Sequence, residues 1–231
     1  MKVCYAATRN IYHKMLPAIR SLLAHNDADI IVLAEDDELP FDIPCEVINV
    51  SGQTTFNETN CKTHFTYMSL MRLLLSELTD YDRILYLDID TIVCEDLSLL
   101  WKLPMGDRWW AAVEESKGRW HPFGMPYFNA GVSLFNLEQM RKDRIVQQIV
   151  YDLNINLYPF PDQDILNKYA VPYKTIPLTT RYNEAFCTGY TDNPAIIHYA
   201  GYGDWFENKS LFRHEFLEKY LPKEKDRNLA V

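Results

Sequence analysis

Ile84-Leu85-Tyr86-Leu87-Asp88-Ile89-Asp90-Thr91-Ile92-Val93 is the stretch that decides how this chain folds. Four large apolar residues run into a carboxylate, a single isoleucine, a second carboxylate, and apolar residues again. A continuous apolar run, led in by Asp80-Tyr81-Asp82-Arg83, predicts a strand buried on both faces, as in a parallel sheet. Aspartate is depleted in strands, and burying an unpaired carboxylate is costly. Residues i and i+2 of an extended chain project to the same side, so Asp88 and Asp90 repel unless a cation lies between them. A hard divalent ion, Mn²⁺ or Mg²⁺, satisfies that arrangement, with waters and a diphosphate completing its shell. One Asp capping the next helix, with the other in solvent, explains one carboxylate but not two inside an apolar run.

Upstream, residues 2–7 read as a buried opening strand with a turn at Thr8-Arg9-Asn10. Met15, Leu16, Ile19, Leu22 and Leu23 repeat at helical spacing over Ile11 to His25, with Pro17 early, where a helix tolerates it best. Asp29–Ala34 and Cys45–Val50 read as further strands, which predicts an α/β fold with a mostly parallel sheet flanked by helices. Ligands of such sheets settle at the carboxyl ends of the strands, where Thr8, Arg9, Asn10, Asp88 and Asp90 all fall. Residues 51–61 are polar and turn-like, and read as a mobile loop. Lys62 to Leu78 reads as one amphipathic helix. Arg72 lies on it, either ion-paired at the surface or touching a phosphate or sugar.

Downstream, a short helix over Leu97–Leu103 and a strand over Trp109–Val113 precede an irregular stretch, Glu115 to Pro126. Such a loop beside a site serves as a lid or acceptor platform, and Trp120 and His121 would either stack on a sugar or simply pack. In Tyr127-Phe128-Asn129-Ala130-Gly131-Val132, small residues among large ones predict a bend and a close backbone approach. Asn129 offers a donor and an acceptor to a hydroxyl, unless it only serves a bulge. Leu137 to Leu153 reads as a helix. Pro161-Asp162-Gln163-Asp164 opens another, in which one acid is explained as a cap and the second is not. A strand over Tyr173–Ile176 leads to Arg181-Tyr182-Asn183. His198 ends a short apolar strand over Ala195–Gly201, where a lone histidine reads as structural unless, as with the Asp88–Asp90 pair here, an Asp-x-Asp elsewhere needs a third metal ligand. Lys223–Val231 reads as a charged tail.

The chain has 231 residues, enough for one domain with a real core. A net charge of −9 argues against a broad nucleic-acid-binding surface. The five cysteines are scattered with no C-x-x-C pair, which points to reduced thiols in a cytoplasmic protein. The opening residues lack a signal-peptide pattern, and no apolar stretch approaches the roughly 18 residues that span a bilayer.

Taken together, the motifs resemble glycosyltransferase family 8, the retaining transferases that include glycogenin and bacterial lipopolysaccharide galactosyltransferases. The matching pieces are Ala7-Thr8-Arg9-Asn10, Leu85-Tyr86-Leu87-Asp88-Ile89-Asp90, Phe128-Asn129-Ala130-Gly131-Val132, Asp162-Gln163-Asp164-Ile165-Leu166-Asn167, Arg181-Tyr182-Asn183 and Ile197-His198-Tyr199-Ala200-Gly201. The resemblance implies a GT-A fold, a Rossmann-like mixed sheet over residues 1–222. Its nucleotide-binding part would take about 1–100 and its acceptor side 101–222. It also implies a nucleotide-sugar donor, UDP-glucose or UDP-galactose, held by Mn²⁺ or Mg²⁺ on Asp88, Asp90 and His198, with a glycan as acceptor. Ala7, Thr8, Asn10, Asp88, Ile89 and Gly201 would contact the nucleotide. Arg72, Asn129, Ala130, Asp162 and Gln163 would contact the donor sugar, with Asp162 and Gln163 as catalytic residues. Gln163 is a poor nucleophile, so orientation and charge stabilisation are expected of it. The chain departs from the family twice. Thr8 or Arg9 stands where relatives place a uracil-reading Asp. Asp204 replaces a phosphate-binding Lys, so either Lys209 takes that role over or the phosphate is held more weakly. A non-catalytic or weakly hydrolytic sugar-nucleotide-binding protein of the same fold is the alternative function.

Overall fold

The computed structural model describes residues 1–61, 66–116 and 125–221. In chain order the elements begin with β1 (Lys2–Ala6), a 3-10 segment (Arg9–Met15), α1 (Leu16–His25), β2 (Asp29–Ala34) and β3 (Cys45–Asn49). Then come α2 (Tyr67–Leu70), a 3-10 segment (Met71–Leu74), α3 (Leu75–Leu78), β4 (Arg83–Leu87), β5 (Thr91–Val93), α4 (Ser98–Trp101) and β6 (Trp110–Glu114). The remainder is β7 (Phe128–Asn136), α5 (Leu137–Asp143), α6 (Ile145–Ile155), α7 (Pro161–Ala170), β8 (Thr175–Leu178), a 3-10 turn (Thr180–Tyr182), β9 (Ile196–His198) and α8 (His214–Glu218).

Seven strands form one sheet in the order β3-β2-β1-β4-β7-β6-β8, and β7 alone runs against the others. The expected α/β class, mostly parallel, is what the chain adopts. Side chains of β4 explain its unbroken apolar run. Ile84 and Tyr86 pack into the core on one face, and Leu85 and Leu87 into that on the other. Because β7 is antiparallel to β4, with Leu87 opposite Val132, the first half of β7 lies where β4 ends. That reversal brings Asn129, Ala130 and Gly131 to the carboxyl edge of the sheet.

Several expectations need correction. The run 84–93 is two strands, not one. The chain leaves β4 at Asp88, turns at Ile89-Asp90, and enters β5, which pairs with β9 in a separate two-stranded ribbon. Thr91 Oγ1 closes the turn by donating to the Asp88 carbonyl at 2.7 Å. The two carboxylates therefore share a side through a turn rather than through strand pleating. The helix expected over Lys62–Leu78 is α2, a 3-10 turn and α3, and residues 62–65 lie outside the described residues. The helix expected over Leu137–Leu153 breaks at Arg144, which sits in the left-handed region at φ 51°. The loop 51–61 is tied to α6 by amide side chains. Asn60 Nδ2 donates to the Leu153 and Asn156 carbonyls at 2.6 and 2.8 Å, and Asn154 Nδ2 donates to the Thr55 carbonyl at 2.9 Å. Trp120, His121 and the 223–231 tail lie outside the described residues. Among the described residues no helix is long and apolar enough to cross a membrane.

One polar cluster locks α6 to α7, the helix that carries Asp162 and Gln163. The buried Asp152 carboxylate accepts from Asn156 Nδ2, Tyr158 Oη, Lys168 Nζ and Tyr169 Oη at 2.7, 2.8, 2.5 and 2.9 Å. Burial pushes this carboxyl up, but these donors, Lys168 foremost, outweigh it and hold the pKa at about 2. A depressed folded value means that the stabilisation is complete above the ordinary carboxylate range and is lost as the pH falls toward 2. Asp152→Ala should cost about 2–3 kcal/mol at neutral pH. Urea unfolding checks this, and the gap to wild type should narrow only below about pH 4. Equal stabilities at pH 7 would show that the cluster contributes nothing.

Candidate active site

The end of β4, the first half of β7, the start of α7 and the end of β9 converge on a cleft of about 610 Å³. It is lined by Ala7, Thr8, Asn10, Arg72, Asp88, Ile89, Asp90, Asn129, Ala130, Asp162, Gln163, His198 and Gly201, among others. Of the residues singled out in the sequence, Lys209 is left out. It is exposed and is absent from the lining, as is Asp204, which accepts from Asn208 Nδ2 at 2.9 Å. Arg9 forms a bidentate pair with Asp36 at 2.8 and 2.6 Å and faces a larger neighbouring groove of about 1240 Å³. Thr8 Oγ1 donates to Asn10 Oδ1 at 2.6 Å in the cleft's outer arm. Arg181 is also outside, paired with Glu95 at 2.5 Å.

Asp88, Asp90 and His198 each offer one ligand atom, and these atoms lie within 4.8 Å of one another. His198 Nε2 is 3.2 Å from Asp90 Oδ1 and 3.7 Å from Asp88 Oδ2. Two hard carboxylate oxygens and one imidazole nitrogen suit Mn²⁺, and the carboxylates remain partly open to the cleft, where further ligands would enter. Gly131 makes room for the cluster. A Cβ there would lie 2.7 Å from Asp88 Oδ2 and 2.8 Å from His198 Nε2, with His198 Cε1 closer still. The close backbone approach expected of Asn129-Ala130-Gly131 is therefore directed at the ligand cluster. Burial pulls the His198 pKa down, but Asp90 and then Asp88 outweigh it, and the ring holds its proton above the usual range.

Arg72 links this cluster to α7. Its Nη2 pairs with Asp88 Oδ1 at 2.7 Å, its Nε with Asp162 Oδ2 at 3.2 Å, and its Nη1 donates to the Ala130 carbonyl at 3.0 Å. The guanidinium lies over the Tyr86 ring, 4.2 Å from its centre. Burial raises the Asp88 carboxyl, yet Arg72 and His198 outweigh it and the group stays below the usual range. Asp162 is held less closely. Burial dominates there and pushes its carboxyl up despite Arg72. Of the other acid in the motif, Asp164, Oδ2 accepts from the Phe160 N–H at 2.8 Å and Oδ1 from Tyr127 Oη at 2.5 Å, a helix-opening role.

Along the cleft wall, and reaching behind it to Asn183, lies a cluster of side chains that sequence reasoning only partly anticipated. Gln163 Oε1 accepts from Asn129 Nδ2 at 3.1 Å and from the Ala130 N–H at 3.0 Å, while its Nε2 donates to Glu115 Oε1 at 3.0 Å. Asn129 Nδ2 also donates to Glu115 Oε1 at 3.1 Å. Asn183 Nδ2 donates to Asn129 Oδ1 at 2.9 Å, and Asn183 Oδ1 lies 2.9 Å from His198 Nδ1. Glu115 and Asn183 carried no functional reading. Glu115 follows Glu114 at a strand end and looks solvated. Asn183 stood in a matching motif without a role.

The sequence profile described as glycosyl transferase family 8 matches residues 39–208. The chain is 26% identical over 213 residues to a probable glycosyl transferase, Gly, of Streptococcus gordonii, covering 81% of this chain but 30% of that protein. It is 26% identical over 223 residues to general stress protein A of Bacillus subtilis, covering 81% of this chain and 74% of that one. Its fold is similar to that of the galactosyltransferase LgtC, solved with donor and acceptor sugar analogues. That match has a TM-score of 0.81 at 23% identity and covers 99% of this chain and 100% of that one.

Proposed function

The chain belongs to glycosyl transferase family 8, and from that premise we propose that it is a metal-dependent retaining hexosyltransferase. It would move glucose or galactose from a UDP-sugar to a hydroxyl of a glycan. The observation that carries this reading is the meeting of Asp88, Asp90 and His198 beside a wall formed by Asn129, Asp162 and Gln163. A divalent ion bound there supplies Lewis-acid stabilisation to the departing diphosphate. The residues of the chain then do the orienting. Arg72 keeps Asp88 ionised and aims its second oxygen toward His198. Asp162, at the same guanidinium, places negative charge beside the sugar carbon that turns positive. Gln163 has its oxygen engaged by two donors, which supports orientation of the sugar rather than nucleophilic attack. Departure and attack on one face then retain configuration. The Thr8–Asn10 pair at the outer arm offers hydroxyl and amide groups to a base. A nucleotide-sugar donor supports a cytoplasmic setting, as do the thiols of Cys4, Cys45, Cys61 and Cys94, which form no disulfide.

Release of UDP from UDP-glucose and UDP-galactose tests the proposal. Release should fall to background with EDTA and return with Mn²⁺. Asp204, at the place where the family resemblance puts a phosphate-binding lysine, favours one second reading, a binder of sugar nucleotides that does not transfer them. Tight UDP binding with no release under any acceptor would establish the second reading and end the first.

A further inference from the structure

We infer that Asn183 is the positioning residue of the metal centre. It holds His198 with a proton on Nδ1 and Nε2 directed at the ion, and its own orientation is imposed through Asn129 by Glu115. The inference rests on the proposed metal site and goes beyond it.

An asparagine amide can turn either way, but in this cluster each orientation is forced by its neighbours. The Gly131 N–H points at one end of the Asn129 amide at 3.0 Å, so that end is the oxygen. The Glu115 carboxylate, an acceptor only when ionised, meets the other end at 3.1 Å, so that end is the nitrogen. Gln163 obeys the same two references, with the Ala130 N–H on its oxygen and Glu115 on its nitrogen. The Asn129 oxygen then faces Asn183 at 2.9 Å and demands a donor there. This leaves the Asn183 oxygen 2.9 Å from His198 Nδ1, which must carry the hydrogen. The opposite ring nitrogen points at Asp90 and Asp88. Glu115, Asn129, Gln163, Asn183 and His198 are all buried, so water offers no easy substitute for a misdirected group. Turning over either asparagine amide would set oxygen against oxygen or N–H against N–H. A histidine that binds metal through one nitrogen takes its orientation from the partner of the other, and here that partner is a neutral amide. The residues expected to touch the donor sugar, Asn129 and Gln163, thus belong to one hydrogen-bonded unit with the metal ligand.

Calorimetric titration of Mn²⁺ into metal-stripped protein tests this. Asn183→Leu should weaken binding about 10–100-fold. Asn183→Asp still accepts from Nδ1–H but sets an oxygen against Asn129 Oδ1, so it should recover part of that loss. If Asn183 served only to pack, the buried extra carboxylate of Asn183→Asp would instead do more harm than leucine. A second measurement needs no variant: ¹⁵N-histidine spectra of wild type loaded with diamagnetic Zn²⁺ should show the His198 proton on Nδ1. Wild-type Mn²⁺ affinity in Asn183→Leu, or an unprotonated Nδ1 in the loaded wild type, would overturn the inference while leaving the proposed function standing. If Asp88→Ala binds Mn²⁺ as wild type does, the ion is not held at this site, and both readings fall.

Discussion

Asp90→Asn should lower UDP release from a UDP-hexose by about 10³-fold or more if the proposed ion is held there, because the several kcal/mol that a Lewis acid would lend the departing diphosphate would be lost with it. Its thermal stability should remain near wild type or rise. Asp90 is partly exposed, and the buried His198 that it faces can shed its proton and still has Asp88 at 3.7 Å, so the substitution removes a repulsion from Asp88 without stranding a fixed charge. Asp88→Asn should be equally inactive but less stable. Arg72 is 5% exposed and would keep only Asp162 as counter-ion, at 3.2 Å. Leaving a buried guanidinium short of a partner costs about 3–5 kcal/mol. The paired measurement, steady-state rate and urea unfolding, separates the two aspartates. Equal unfolding free energies for both variants would show that Arg72 does not depend on Asp88, and wild-type turnover in either would remove the metal from the mechanism.

Gly131→Ala should be nearly as damaging, although it adds a single methyl group. The backbone of β7 at this position imposes no left-handed conformation, so alanine is not strained there. The damage comes from what the methyl meets, Asp88 Oδ2 at 2.7 Å and His198 Nε2 at 2.8 Å, both inside contact distance. The strand cannot move aside cheaply. The Gly131 carbonyl accepts from the Asp88 N–H at 2.8 Å, and its N–H donates to Asn129 at 3.0 Å. The ligands must therefore give way, and displacing reacting groups by about an ångström costs on the order of 10²-fold in rate. Overpacking should add about 1–3 kcal/mol of destabilisation. Turnover measured across a Mn²⁺ series should show weaker metal dependence at every concentration. A variant with wild-type rate and metal affinity would mean that the cluster relaxes freely around Gly131.

How much of this was legible in the sequence depended on what each signal reports. The alternation of Ile84 and Tyr86 against Leu85 and Leu87 appears as an unbroken apolar run, and it reported burial on both faces correctly. It could not report where the strand stops, because Thr91-Ile92-Val93 is just as apolar although it pairs with β9 elsewhere. Helical periodicity ran through Arg144 without registering its left-handed backbone, since one residue barely perturbs a 3.6-residue repeat. The loop 51–61 looked free because polarity was its only visible feature, yet its own Asn60 and Asn154 of α6 make the bonds that join the two. Asp162 and Asp164 were correctly divided into one capping acid and one other, but the Arg72 contact of the second is a tertiary fact. Glu115 and Asn183 escaped for a related reason. Their roles lie in which way an amide faces, and no local pattern encodes that.

The ribbon formed by β5 and β9 has one more consequence. Asp90 immediately precedes one of its strands and His198 ends the other, with Thr91 registered against His198. An ion shared by these residues would act as a clasp between early and late parts of the polypeptide, and such ties constrain the disordered chain most when the loop they close is long. Scarcity of the ion would then shorten the lifetime of the folded molecule as well as slow its chemistry, since whatever binds only the native state also protects it.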